Sequence, residues 1–238
     1  KSFGLAMAEN PVAAKNQYAI AQAELNGTPA EYLMFEQQPI FPISELKIKG
    51  RHNQLNALAA IALVESLPAQ FKVNERQLQQ VLSSFTGLPH RCAWVAEHEG
   101  IEYFNDSKGT NVGSTLAAIE GLATADQKKI ILIAGGVGKD QDFEPLADVC
   151  QQSVKQVQLF GRDAQLIANS LTAAENTVAI VDTLAQALVD AKKIAESGDV
   201  VLFSPACASF DQFTNYVKRG EVFEQLVTEM IDGGVYDG

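Results

Sequence analysis

Cysteine is scarce. Cys92, Cys150 and Cys207 form no CxxC pair and show no His/Cys ligand spacing. That argues against a disulfide framework or a cysteine-built zinc site and leaves reduced, buried thiols. Basic residues are also few, with 18 Lys and Arg against 29 Asp and Glu, a net charge of −11. Such a balance argues against nonspecific binding to nucleic acid or to anionic membranes, though it permits a local basic pocket. No apolar run approaches the ~20 residues of a membrane span and no signal peptide is visible, so a cytoplasmic setting is expected. The chain begins Lys1-Ser2-Phe3 without Met, and the expectation is a sequence that starts inside something longer.

Two nucleotide motifs are missing as well. GxxxxGK followed by Ser or Thr occurs nowhere, and Gly135-Gly136-Val137-Gly138-Lys139 lacks the GxGxxG spacing of a dinucleotide loop. A dehydrogenase reading is thereby disfavoured. His52, His90 and His98 form no recognisable triad with a serine, and Cys207 has no visible partner as a nucleophile.

What is present is a substantial apolar fraction, 47% against 20% charged, ordinary for a globular protein of 238 residues. Residues 1–50 alternate short apolar runs with turn residues. Tyr18–Ile20 and Tyr32–Phe35 read as the arms of a hairpin turned at Asn26-Gly27, with a further strand at Glu45–Lys49. Gly50–Asn53 opens a helix running from Leu55 to Leu67, which Pro68 stops, and a second helix spans roughly Asn74 to Phe85. Asn53 and Asn56, three apart, share a face of the first turn and either cap it or hold a ligand.

Gly87-Leu88-Pro89 marks the expected boundary, dividing the chain into 1–87 and 88–238. Beyond it a hairpin, Cys92–His98 and Ile101–Phe104, precedes alternating signals. Strands are expected at 129–134, 154–160, 177–181 and 200–203, and helices at 113–122, 143–150, 164–170, 184–196 and 213–230. That order predicts an α/β, Rossmann-like fold of about six mostly parallel strands covered on both faces. Ligands then sit beyond the carboxyl ends of the strands. The polar clusters fall there: 105–111, 135–140, 161–163 and 204–209. Asn105–Thr115 carries more polar groups than a helix cap requires and suits an anion. Lys139 in its turn, Ser209 before the last helix and Arg91 near the boundary add candidates for holding a carboxylate or phosphate.

Four segments occur together in order: Gly50-Arg51-His52-Asn53-Gln54-Leu55-Asn56-Ala57, Leu88-Pro89-His90-Arg91, Asn105-Asp106-Ser107-Lys108-Gly109-Thr110-Asn111, and Ser204-Pro205-Ala206-Cys207-Ala208-Ser209. The set resembles the ATP-dependent Mur ligases of peptidoglycan synthesis, and among them the branch that adds D-glutamate. The resemblance covers essentially the whole chain but only the later half of such an enzyme. It implies that 1–87 is the end of a central ATP-binding domain and 88–238 a complete C-terminal domain that brings the amino acid. It implies an acyl-phosphate reaction with ATP and Mg2+, joining D-glutamate to UDP-N-acetylmuramoyl-L-alanine, in a cytoplasmic monomer. Asn53, Asn56, Arg91, Asp106 and Lys108 then match nucleotide-binding positions, and Thr110, Lys139, Ser209, Phe210 and Tyr216 match positions that hold D-glutamate. Phe210, Tyr216 and Val137 depart from residues often found there. No catalytic residue or metal ligand falls inside these residues, so the chain alone is expected to be inactive. The alternative is a non-enzymatic Rossmann-like module for an acidic metabolite.

Overall fold

The computed structural model describes residues 18–25, 28–124, 127–171 and 177–233. The expected turn at Asn26-Gly27 lies outside them. The chain divides into two compact units between Gly87 and Leu88.

In the first unit, β1 (Tyr18–Leu25), β2 (Thr28–Phe35) and β3 (Gln38–Pro42) form an antiparallel sheet in the order β1-β2-β3. Leu33 and Phe41 project from it against Leu58 and Ile61 of α1 (Arg51–Glu65) and Leu82 of α2 (Glu75–Ser84). The strand expected at Glu45–Lys49 is absent. Its place is taken by a 3-10 turn at Ile43–Glu45 and bends, which bury Leu46 and leave Lys47 and Lys49 in water. The third strand is β3 instead. Its two prolines are tolerated because it is an edge strand, where a missing N–H breaks no ladder. α2 begins on a reciprocal capping box, Gln77 N–H donating to Asn74 Oδ1 at 2.9 Å and Asn74 N–H to Gln77 Oε1 at 3.0 Å.

The second unit is a six-stranded sheet in the order β4-β5-β9-β6-β7-β8. β4 (Ala93–His98) and β5 (Ile101–Asn105) form the only antiparallel pair described in it, turned by Glu99 and Gly100, both at positive φ. β6 (Ile130–Gly135), β7 (Val154–Phe160), β8 (Thr177–Ile180) and β9 (Val200–Phe203) run parallel to β5. Alternation sorts the sheet into two faces. Ile130, Leu132, Ala134 and Leu202 pack against α3 (Val112–Leu122), α4 (Pro145–Ser153) and α5 (Ala164–Ser170). Ile131, Ile133, Val201 and Phe203 pack against α6 (Leu184–Ile194) and α7 (Tyr216–Ile231). This is the doubly wound α/β architecture expected from the strand-helix alternation. β9 returns last and inserts between β5 and β6, so the strand order reverses at the sheet centre and opens a crevice at the carboxyl ends.

Candidate functional site

At the carboxyl end of β5 the chain turns through Asn105, Asp106 and Ser107, all buried. Asn105 Oδ1 accepts from Ser107 N–H, while its Nδ2 lies 2.6 Å from Glu224 Oε1 and 2.9 Å from His90 Nδ1. Asp106 is 7% exposed. Its Oδ1 accepts from Cys92 N–H at 3.0 Å and its Oδ2 from Ser204 Oγ–H at 2.6 Å. Burial raises its pKa from 3.8 to about 6, against the opposing pull of those two hydrogen bonds and of Arg91 and Arg219. Lys108 N–H donates to His90 O at 2.9 Å. The segment holding exposed Arg91 is thus stitched to the Asp106-Lys108 turn on both sides, through His90 and Cys92. Three nucleotide-site candidates, Arg91, Asp106 and Lys108, share one corner. Asn53 and Asn56 belong to α1 of the first unit. Neither caps it: Gly50 occupies the N-cap position, Asn53 Nδ2 donates back to Lys49 O at 2.8 Å, and Asn56 is exposed.

The D-glutamate candidates come from three loops and a helix start, and the structure ties these together. Val137 and Ala208 exchange two backbone hydrogen bonds, 2.8 and 2.9 Å, joining the loop after β6 to the loop after β9. Gln141 adds a second tie. Its Nε2 donates to Gly138 O at 2.8 Å and Ala206 O at 2.7 Å, and its Oε1 accepts from Val112 N–H at the start of α3. Lys139 rides the left-handed turn between these ties, at φ 55°, with its side chain exposed. Ser209 is buried and Phe210 stands out at 68% exposure. Tyr216 begins α7 behind the Asn215 cap, and Lys108 Nζ lies 4.1 Å from the centre of its ring. Lys108 and Tyr216, assigned to different ligands from the sequence, therefore touch. Thr110 is half-buried where the loop after β5 approaches α3.

Two residues that organise this site were not anticipated. Gln141 belongs to no motif and carries no sequence signal. Arg219 is completely buried, the largest such side chain among the described residues. It does have a signal: Arg219, Phe223, Val227 and Met230 recur at helical spacing, so the arginine lies on the buried stripe of α7.

Comparison with known proteins decides what this arrangement belongs to. Residues 90–207 match the family described as Mur ligase, glutamate ligase domain. The chain belongs to the Mur ligase family. The UDP-N-acetylmuramoylalanine–D-glutamate ligase of Pseudomonas savastanoi pv. phaseolicola is 48% identical over 201 residues, which is 83% of this chain and 43% of the relative. The enzyme of that name from Hydrogenovibrio crunogenus is 47% identical over 200 residues, 84% of this chain and 43% of the relative. This Mur ligase chain thus spans less than half the length of the curated relatives it matches. Among solved structures, UDP-N-acetylmuramate-alanine ligase from Thermotoga maritima superposes with TM-score 0.61 at 18% identity, over 90% of this chain and 46% of that one. Folylpolyglutamate synthase of Mycobacterium tuberculosis, complexed with ADP, gives 0.62 at 16% identity, over 88% and 47%. At that identity the likeness concerns the Mur ligase fold alone.

Proposed function

We propose that residues 88–238 are the amino-acid-bringing C-terminal domain, and 1–87 the last part of the central ATP-binding domain, of a ligase that joins D-glutamate to UDP-N-acetylmuramoyl-L-alanine. The observation that carries the reading is the convergence of Thr110, Lys139, Ser209, Phe210 and Tyr216 at one set of strand ends, on loops cross-linked by the Val137–Ala208 bridge and by Gln141. D-Glutamate presents two carboxylates and an amine. Lys139, the Thr110 and Ser209 hydroxyls and loop N–H groups suit the carboxylates, leaving the amine free to act as nucleophile. Relatives 46–48% identical carrying that enzyme's name support the choice of amino acid.

ATP supplies the phosphoryl group that activates the acceptor carboxylate as an acyl phosphate. On this chain Arg91 and Lys108 are the cations for its phosphates. Asp106 uses one acceptor site on each oxygen for Cys92 and Ser204, which leaves lone pairs for a ribose hydroxyl. Asn53 and Asn56 are the candidates on α1. Mg2+ accompanies ATP in this reading, and no metal ligand is assigned here. Among the described residues no group of three or more His, Cys, Asp and Glu is placed to hold a metal ion. Without a GxxxxGK loop followed by Ser or Thr, these 238 residues alone are expected not to turn over ATP. Cytoplasmic placement and a monomer complete the proposal. No helix among the described residues is long and apolar enough to cross a membrane.

The test is Lys139→Ala in a full-length enzyme carrying this chain. The KM for D-glutamate is expected to rise at least about tenfold and that for ATP less than about threefold, since each tenfold step is one lost contact of about 1.4 kcal/mol. Equal rises in both would refute the role given to Lys139. A full-length wild-type enzyme that releases no phosphate upon addition of D-glutamate would refute the function.

A further inference from the structure

Arg219 makes three hydrogen bonds, all to neutral oxygens. Its Nε donates to Ser107 Oγ at 3.1 Å, and its Nη2 to Ser107 O at 2.9 Å and Cys207 O at 3.0 Å. Its remaining nitrogen, Nη1, is buried and finds no hydrogen-bond partner. That nitrogen lies under the loop after β6, where a Cβ placed on Gly136 would stand 3.3 Å away. The carboxylates of Asp211 and Asp106 act on the guanidinium only through space. A fully buried cation held by carbonyls and a hydroxyl is an expensive arrangement, because desolvation is not repaid by a bonded counter-ion.

The three segments that Arg219 touches have a common property. Ser107 precedes Thr110 by three residues, Gly136 precedes Lys139 by three, and Cys207 precedes Ser209 by two. The guanidinium therefore sits at the root of all three loops that carry the proposed amino-acid contacts. Its planar fork fixes Ser107 and Cys207 at once, which a point-charge ammonium does not reproduce. Ser107 in turn donates to Tyr216 O at 2.8 Å, extending the tie to the start of α7.

We propose that Arg219 is a positioning residue for the acidic amino acid. It sets the spacing of Thr110, Lys139 and Ser209 from beneath, and it places a fixed positive charge under the site, for which the carboxylates of the ligand act as counter-ions. This rests on the function proposed above. It adds a residue that touches no ligand.

The test is made in the full-length enzyme with Arg219→Met, which removes charge and fork, and Arg219→Lys, which keeps charge alone. Arg219→Met is expected to raise the KM for D-glutamate at least about tenfold while the KM for ATP moves less than about threefold, and Arg219→Lys to fall between it and wild type. A purely structural arginine would lower the amount of active enzyme and leave both KM values in place, which would overturn the inference. If Arg219→Met does not fold, Arg219→Lys decides: a KM for D-glutamate equal to that of wild type overturns the proposal, and a selective rise supports it. Wild-type enzyme without D-glutamate-dependent phosphate release would instead sink the function itself.

Discussion

Asp106→Asn should make the stability of the second unit depend less on pH, by an amount the structure specifies. In the folded chain burial raises the Asp106 carboxyl from 3.8 to about 6. A raised acid is still protonated in the folded state at pH values where the unfolded chain has already ionised. The stability it contributes is therefore complete below about pH 4 and is lost as pH rises through about 6. One pH unit of displacement is about 1.4 kcal/mol, so the loss amounts to about 3 kcal/mol. Asparagine is a fair replacement. Its oxygen still accepts from Cys92 N–H, its amide donates to Ser204 Oγ, and that hydroxyl can then donate to Thr115 Oγ1, now 2.9 Å away. Urea unfolding followed by Trp94, the single tryptophan, would measure the difference between wild type and variant across that range. The variant should gain on wild type as pH rises, by most of ~3 kcal/mol between about pH 4 and about pH 7. A difference constant to within about 0.5 kcal/mol over that interval would refute the buried-acid account.

Two further substitutions test the scaffold. Gly135→Ala should unfold the second unit or destabilise it by more than about 4 kcal/mol, because Gly135 sits at φ 129° and an added Cβ would overlap the Phe160 carbonyl oxygen; circular dichroism melting checks this. Asn74→Ala removes half of the capping box at the start of α2 and should lower the stability of the first unit by about 1 kcal/mol, seen as a shifted urea midpoint with unchanged slope.

The second unit was largely legible because its strands are continuous apolar runs and its helices are strongly patterned. Val154–Phe160, Ala164–Ser170 and Val200–Phe203 have the bounds their residues suggest. The last helix begins at Tyr216 rather than Phe213, since the Asn215 side chain caps it by accepting from Lys218 N–H. The first unit was less legible. Alternation at Glu45–Lys49 imitated a strand, whereas Gln38–Pro42 hid one behind two prolines that only an edge position permits. In the candidate site, residues on motifs could be proposed from sequence and those lying beneath could not. Asp106 and Lys108 announce themselves by type and place. Gln141 works only because its side chain bridges Val112, Gly138 and Ala206, positions up to 65 residues away, and no local pattern encodes that.

The insertion of β9 between β5 and β6 bears on how the chain comes to be built. Neither β5 nor β6 pairs with the other; each pairs with β9. Until Val200–Phe203 has been synthesised, the sheet consists of a hairpin and a three-stranded piece with no ladder between them, each exposing an apolar edge. A nascent or truncated chain ending before Phe203 would therefore hold two sticky fragments rather than a smaller version of the domain. The strand that completes the sheet also delivers Ser204–Ser209 to the crevice, so closure of the sheet and assembly of the candidate site depend on the same segment.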